Sequence, residues 1–357
     1  IKGRALGAQD AELVNITGGT FESPVELKDS PVEISGGTFS SVDLQCSRVK
    51  ISGGTFTYLE TDRGTIRALL EKGYIFKSNV VGATVDTKGQ KASDVSVIPC
   101  PHESNYVDAA TGMCDCGMQM TAKVVAPDGT TTKYYADGVN SSGNTQSGLN
   151  AAFENVESGS TVTVLGGSSV TAYLDGGKAL TLDLNGKSIS TIYVGRDNTY
   201  TGSKLTVRGS GTVESLHVHA QNYVELTSGE YGVIRVYSTI AIKDLLAEGY
   251  ALRVKDGLYY PSASTITNQG TLENVTVVAC PHSSISGEGT CDYCGMTGIK
   301  AVLTKADGSA TAYTDMETAK SDWLRDGGTL KLYDNYTDAD GEIEWAGNKT
   351  ITLDLNG

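Results

Sequence analysis

Proline is scarce in this chain, 7 in 357 residues. No run of about 18 apolar residues occurs, which excludes a membrane-spanning helix. No signal peptide opens the sequence. The formal net charge is −14, and Lys and Arg nowhere cluster, which argues against a general nucleic-acid binder because phosphate contact needs grouped cations. A nucleophile motif, a phosphate loop and a dinucleotide fingerprint are all missing. Cysteine is also rare, at 7. What the chain has instead is 43 glycines and 18 tyrosines, a composition that fits many short strands joined by tight turns.

The sequence repeats on two scales. "ITGGTF" at 16–21 returns as "ISGGTF" at 34–39 and again at 51–56, offsets of 18 and 17 residues. The segments between, such as "PVELKDSPVEI" and "SVDLQCSRVKI", alternate apolar and polar residues, the signature of a strand. A strand-turn-strand unit at this period predicts one coil of a β-solenoid. Val, Leu, Ile and Phe would face inward, and the Gly-Gly pair would turn the corner. A weaker copy runs through "KLTVRGSGTV", "YVELTSGEYGV" and "AIKDLLAEGY". An ordinary sandwich has no need of near-identical turns.

The long repeat spans 171 to 180 residues. It pairs "IRALLEKGYIF" with "IKDLLAEGYAL", the two "CPH" triplets, "CDCGM" with "CDYCGM", "APDGTTTKYY" with "KADGSATAYT", and "LTLDLNG" with "ITLDLNG". The expected order is coils over 1–98, a Cys/His insert and hairpin over 99–146, and a helix with a second coil stack over 147–278. A second insert and hairpin then fill 279–314, and a helix opens a third stack over 315–357. Hairpins are expected around Asp128-Gly129 and Asp307-Gly308. Short helices are expected over 147–156 and 316–326, the first with a stripe of Leu149, Ala152, Phe153 and Val156. Both ends look like mid-structure, so an excerpt from a longer protein is expected. The fold class is all-β: parallel β-helix (solenoid) repeats with short capping helices and small Cys/His inserts.

A helix, then Gly-x-Thr-Val-x-Val, then "LTLDLNG" and Gly-rich coils resembles the start of a right-handed parallel β-helix of the pectin-lyase-like superfamily. Modular surface proteins of Gram-positive, often gut-dwelling bacteria are similar. The resemblance covers nearly the whole chain and is architectural. It implies a helix over the open end of the coil stack, a secreted or cell-surface location, and a host ligand.

Cys280, His282, Cys291 and Cys294 form a C-x-H-x8-C-x2-C tetrad, the spacing a tetrahedral zinc site needs. Four protein ligands leave no position for water, so such a site is structural, and metal removal should loosen the insert. The first copy, Cys100, His102, Cys114 and Cys116, ends in C-x-C, a tighter bite. Disulfides are the rival reading, since an exported protein meets an oxidising medium. Three cysteines per insert and a retained histidine fit a disulfide poorly. Cys46 reads as a small apolar residue within a coil.

Enzymes on such a fold group carboxylates on one face. The candidates are Asp183, the pair Arg196 and Asp197, and the pair Asp62 and Arg63. Asp183 recurs as Asp354, as a structural turn requires, and the others read as solvated loop charges. His217 and His219 share one strand face, half of a metal site or a solvated face. No catalytic residue is therefore expected. The expectation is a non-enzymatic surface repeat module binding a host glycoprotein, mucin glycan or immunoglobulin, with no nucleic acid and no membrane insertion. Tyr134, Tyr135, Tyr193, Tyr200, Tyr231, Tyr237, Tyr259 and Tyr260 are candidate aromatic anchors. A carbohydrate-active β-helix enzyme and a passive stalk are the alternatives.

Overall fold

The structure, a computed structural model, describes residues 6–109, 111–139, 142–166, 170–197, 199–254, 257–335 and 349–356. The first residues of the chain and Gly357, the last residue of the repeated "LDLNG", lie outside them. Two compact units divide the chain, Ile1–Met120 and Thr121–Gly357, with their boundary inside the 99–146 segment.

In the first unit the short repeat becomes a parallel coil stack. Val14–Ile16 pairs in register with Val32–Ile34, and that with Val49–Ile51. Thr20–Phe21 pairs with Thr38–Phe39, and that with Thr55 and Phe56 of the next strand. Val25–Lys28 pairs with Val42–Gln45. Every residue thus sits on its own copy one coil away, and alternation sends one side of each strand inward. Val25 and Leu27 are buried on either side of exposed Glu26. Each such aliphatic side chain contributes about 1.5–3 kcal/mol on burial. Phe21, Phe39 and Phe56 form an internal ladder with centroids 4.8 and 5.0 Å apart and planes within 6°.

The Gly-Gly pair has two separate jobs. At Gly53 an added Cβ would lie 2.2 Å from the Ser35 carbonyl oxygen of the preceding coil. Only glycine lets the two backbones approach so closely. Gly37, at φ 113°, adopts a conformation that other residues resist, and the Phe39 ring packs where its Cβ would be, 3.0 Å away. Gly18 occupies the position of Gly53 in the first coil but meets nothing within 4 Å among the described residues. Gly53→Ala should therefore cost roughly 2 kcal/mol or more, the scale of forced overpacking. Gly18→Ala should stay within about 0.5 kcal/mol, as an unhindered surface change does. Urea unfolding of the two variants decides it, and equal costs would remove close coil approach as the reason for the motif.

The expected hairpin, Met120–Val125 and Thr132–Ala136, lies in the second unit from Thr121 onward. Asp128 turns it by accepting from the N–H groups of Thr130 and Thr131. Helix α1 (Gly148–Asn155) follows, capped by Ser147 Oγ accepting from Asn150 N at 3.1 Å. Its stripe of Leu149, Ala152, Phe153 and Val156 is buried in the same core as the coils, so the helix covers the start of the stack as expected. Two parallel sheets then rise together. One contains Thr161–Val164, Ala179–Asp183, Lys204–Arg208 and Tyr223–Leu226; the other contains Thr171–Leu174, Lys187–Val194, Gly211–Val218 and Glu230–Val236. Helix α2 (Met316–Asp326), capped by Asp315, leads into Gly328–Leu332, which pairs in parallel with Ile351–Asp354.

Both stacks end the same way, with a change of strand direction. Thr55–Thr61 meets Lys91–Pro99 antiparallel, and Glu230–Val236 meets Thr271–Ala279 antiparallel. Tyr74–Ser78 and Tyr250–Val254 complete these ends. Short 3-10 helices, Ile66–Leu69 and Ile242–Leu245, lead into the "LLxxGY" segments that precede these strands. Alternation marks 91–99 and 271–279 as strands but carries no direction. The antiparallel closure is therefore a finding that the sequence did not disclose. Among the described residues no helix is long and apolar enough to cross a membrane.

Candidate metal centres

Each closing strand runs directly into a Cys/His cluster. The backbone fixes the first cysteine: Cys100 N–H donates to the Gly73 carbonyl at 2.8 Å, and Cys280 N–H to that of Gly249 at 2.8 Å. Both glycines belong to "LLxxGY" and hold positive φ, 93° and 80°. The histidine two residues later also sits in the left-handed region, at φ 51° for His102 and 47° for His282. Such a backbone is rare outside glycine, and it is held here by the surrounding fold. The remaining cysteines lie in a tight turn that closes on a positive-φ glycine, Gly117 or Gly295. Gly117 N–H donates to Cys114 O, and Gly295 N–H to Cys291 O.

These turns bring all eight predicted ligands into two groups. In Cys100, His102, Cys114 and Cys116, and in Cys280, His282, Cys291 and Cys294, one ligand atom per residue lies within 4.8 Å of all the others. Cys100 Sγ is 3.4 Å from Cys114 Sγ, and Cys116 Sγ is 3.4 Å from His102 Nε2. The second group repeats the pairing: Cys280 Sγ to Cys291 Sγ is 3.5 Å, and Cys294 Sγ to His282 Nδ1 is 3.7 Å. The copies thus turn opposite imidazole nitrogens inward. With its shorter C-x-C turn the first copy still gathers all four residues. Every cysteine is a free thiol.

Backbone N–H groups point at the sulfurs. His102 donates to Cys100, Cys116 to Cys114, His282 to Cys280 and Cys294 to Cys291. Such bonds stabilise thiolate, the form that binds metal. The rest of the environment opposes charge in the first cluster, where burial raises the Cys100 and Cys114 thiols and lowers His102. In the second, contact with Cys291 and Cys294, then burial, pushes Cys280 up, while the Cys280 contact pulls Cys291 down. Burial disfavours charge on His282, but its bonds to Cys291 and Cys294 outweigh burial and hold the imidazolium to about 9. A bound dication would offset two of the three thiolate charges of either set. Three sulfurs and one imidazole form a soft donor set that could hold a metal ion with all four positions filled by protein.

The other singled-out residues are apart from these centres. Asp183 accepts from Asn185 N at 3.0 Å, and Asp354 from Asn356 N at 2.9 Å, so the "LDLNG" aspartate is a turn residue in both copies. Arg196 pairs with Asp175 at 3.1 Å, Asp197 accepts from Thr199 N, and Asp62 pairs with Arg63 at 3.4 Å, all at exposed or half-exposed loop positions. Cys46 is buried and donates to the Leu27 carbonyl. His217 and His219 belong to a stacked outer face. Tyr173, Tyr193 and His217 lie in register with centroids 5.0 and 4.5 Å apart, and His219 stacks on Tyr237 at 4.0 Å. Among the described residues no further Cys, His, Asp or Glu joins the histidines as a third ligand. Two tyrosine anchors are corrected: Tyr134 and Tyr231 are 6 % and 1 % exposed. Tyr231 lies within the coil core, its hydroxyl bonded to the Ser228 carbonyl. Tyr259 stacks on Tyr293 at 4.8 Å, Tyr260 packs on the core, and Tyr200 remains exposed.

No protein-family model, no curated protein and no solved structure matches the chain.

Proposed function

We propose that the chain is a non-enzymatic repeat module of a secreted or cell-surface protein. Zinc closes the end of each coil stack, and an outer sheet face meets a host ligand. The observation that carries this reading is the closed Cys3His donor set, present twice at the same place in the long repeat. With four protein ligands a metal has no open position for water or substrate, so it acts as a structural clip. Zinc suits a tetrahedral thiolate-rich set better than calcium or magnesium, which take oxygen. Resemblance to bacterial surface repeats points to a host glycoprotein, a mucin glycan or an immunoglobulin as the ligand. The half-exposed rings of Tyr173, Tyr193 and Tyr237 supply the aromatic part of a binding face.

A panel of immobilised mucin glycans, host glycoproteins and immunoglobulins tests it at low and moderate salt. One member of the panel should bind and persist in moderate salt. The double variant Tyr193→Ala, Tyr237→Ala should weaken that binding by roughly 10-fold or more, the scale of buried aromatic anchors. Silence across the panel would sink specific binding and leave the stalk. Release of reducing sugar from a glycan would assign an enzyme instead.

A further inference from the structure

We infer that each Cys/His cluster has a second closed state, a disulfide between its first two cysteines, and that a small disulfide oxidant exchanges the metal for it. This rests on the reading of the clusters as metal centres. It goes beyond that reading by naming which sulfurs join and which remains. In both copies the first and second cysteines touch sulfur to sulfur, Cys100 with Cys114 at 3.4 Å and Cys280 with Cys291 at 3.5 Å, while the third cysteine also lies in contact with both. In both, the third cysteine also lies against the histidine, Cys116 with His102 at 3.4 Å and Cys294 with His282 at 3.7 Å, and His282 touches Cys291 as well. The pairing recurs although the last two cysteines are spaced C-x-C in one copy and C-x-x-C in the other. It therefore follows the fold and not the turn length.

The backbone holds each pair in place from both sides. The first cysteine is tied to the glycine of the preceding "LLxxGY" segment, Gly73 or Gly249. The second is held by isolated bridges, Val107 to Cys114 and Ile285 to Cys291. A bond between them would link the end of the coil stack to its insert, the two parts the metal also joins.

The chemistry balances with oxidised glutathione as co-reactant. One cysteine thiolate attacks a glutathione sulfur, the S–S bond breaks, and a glutathione thiolate leaves. The neighbouring thiolate then attacks the protein sulfur of the mixed disulfide, and the second glutathione thiolate leaves. Two protein thiolates are oxidised and one glutathione disulfide is reduced. Where a dication was bound, it leaves, because one cysteine and one histidine cannot fill a tetrahedral site.

The full chain as purified is treated with oxidised glutathione, before and after metal removal by a chelator. Metal release, free thiols and cross-linked peptides are then measured. Free thiols should fall from seven to three, namely Cys46, Cys116 and Cys294, with Cys100–Cys114 and Cys280–Cys291 as the linked peptides. Metal release should keep pace with thiol loss. The variants Cys116→Ser and Cys294→Ser should still form the same disulfides. Linked peptides containing Cys116 or Cys294, or seven thiols surviving in the stripped chain, would overturn the inference. A chain that never holds metal yet forms these two bonds would defeat the metal reading and sustain the disulfide. A chain that holds two metals but stays reduced after stripping would do the reverse.

Discussion

Removing the metal should open residues 100–119 and 280–300 to hydrogen exchange and leave the coil strands protected. The reason is where the cysteines sit. In the second unit the coil core contains none of them. Cys280 and Cys291 pack in a separate small cluster with Ala251, Ile299 and Val302. Only five of its side chains are buried, and the rest of that cluster, such as Ile285, Tyr293 and Met296 of the insert, is only partly buried. Structural zinc supplies an apparent ~10–16 kcal/mol in small domains of this kind, so its loss outweighs anything local packing provides. The variants Cys291→Ser and Cys114→Ser should each reproduce the effect in their own insert only, because each cluster draws its ligands from one copy. Elemental analysis of the purified chain should give two zinc ions. Exchange spreading at once through Lys187–Val194 and Gly211–Val218 would show that the metal holds the whole solenoid and not its ends.

The same site fixes a pH dependence whose sign differs between the metal-free and metal-bound chain. His282 has its proton held to about 9, against an ordinary 6.5. In the metal-free state a raised histidine adds stability that is complete below about 6.5 and is lost as pH rises towards 9. Metal needs the neutral imidazole, so the proton competes with it below about 9. The stabilisation conferred by zinc on the second insert should therefore grow from pH 6.5 to 9. His102 is lowered by burial and is already neutral there, so it adds nothing to that rise. Melting of the second insert with and without zinc, followed by exchange across this range, checks the widening gap.

Much of this was legible because repetition leaves marks that survive without a partner sequence. The 18- and 17-residue offsets of "GGTF" are the coil register itself, Phe21 on Phe39 on Phe56. The two Cys/His clusters were legible because their donors are of specific types at close spacing. Direction was not legible. Lys91–Pro99 alternates like any coil strand, and only the long excursion through 62–90 lets it return antiparallel. Nor could composition separate Tyr231, buried in the core, from Tyr193 on the outer face, since both lie in alternating strands. Their phase is set by the neighbours: Tyr231 shares its side with Val213 in the next coil, and Tyr193 shares its side with Tyr173 and His217. The left-handed histidines were beyond reach too, because a dihedral angle held by the surrounding fold has no local sequence sign.

Phe39→Ala should be the most damaging single change in the first coil stack. Phe39 is 0 % exposed, whereas Phe21 is 9 % exposed. It is the middle rung of the ladder, stacked on Phe21 at 4.8 Å and on Phe56 at 5.0 Å, while each outer ring has one such partner. Truncation of a buried phenylalanine costs about 3–5 kcal/mol. In a solenoid the coils are coupled only to their neighbours, so a hole at the middle rung weakens the interface above it and the one below. Phe21→Ala should cost less, because among the described residues Phe21 stacks on one ring and Phe39 on two. A double-mutant cycle between Phe21 and Phe39 should give a coupling of about 0.5–1.5 kcal/mol, the worth of an aromatic pair beyond its area. Phe39→Leu refills most of the volume but not the stack, so it should fall between the wild type and Phe39→Ala. Urea unfolding of the four proteins, read with exchange at Thr38–Phe39, gives the order. If Phe39→Ala costs no more than Phe21→Ala, the coils are held by their backbone ladders, and the phenylalanines merely fill space.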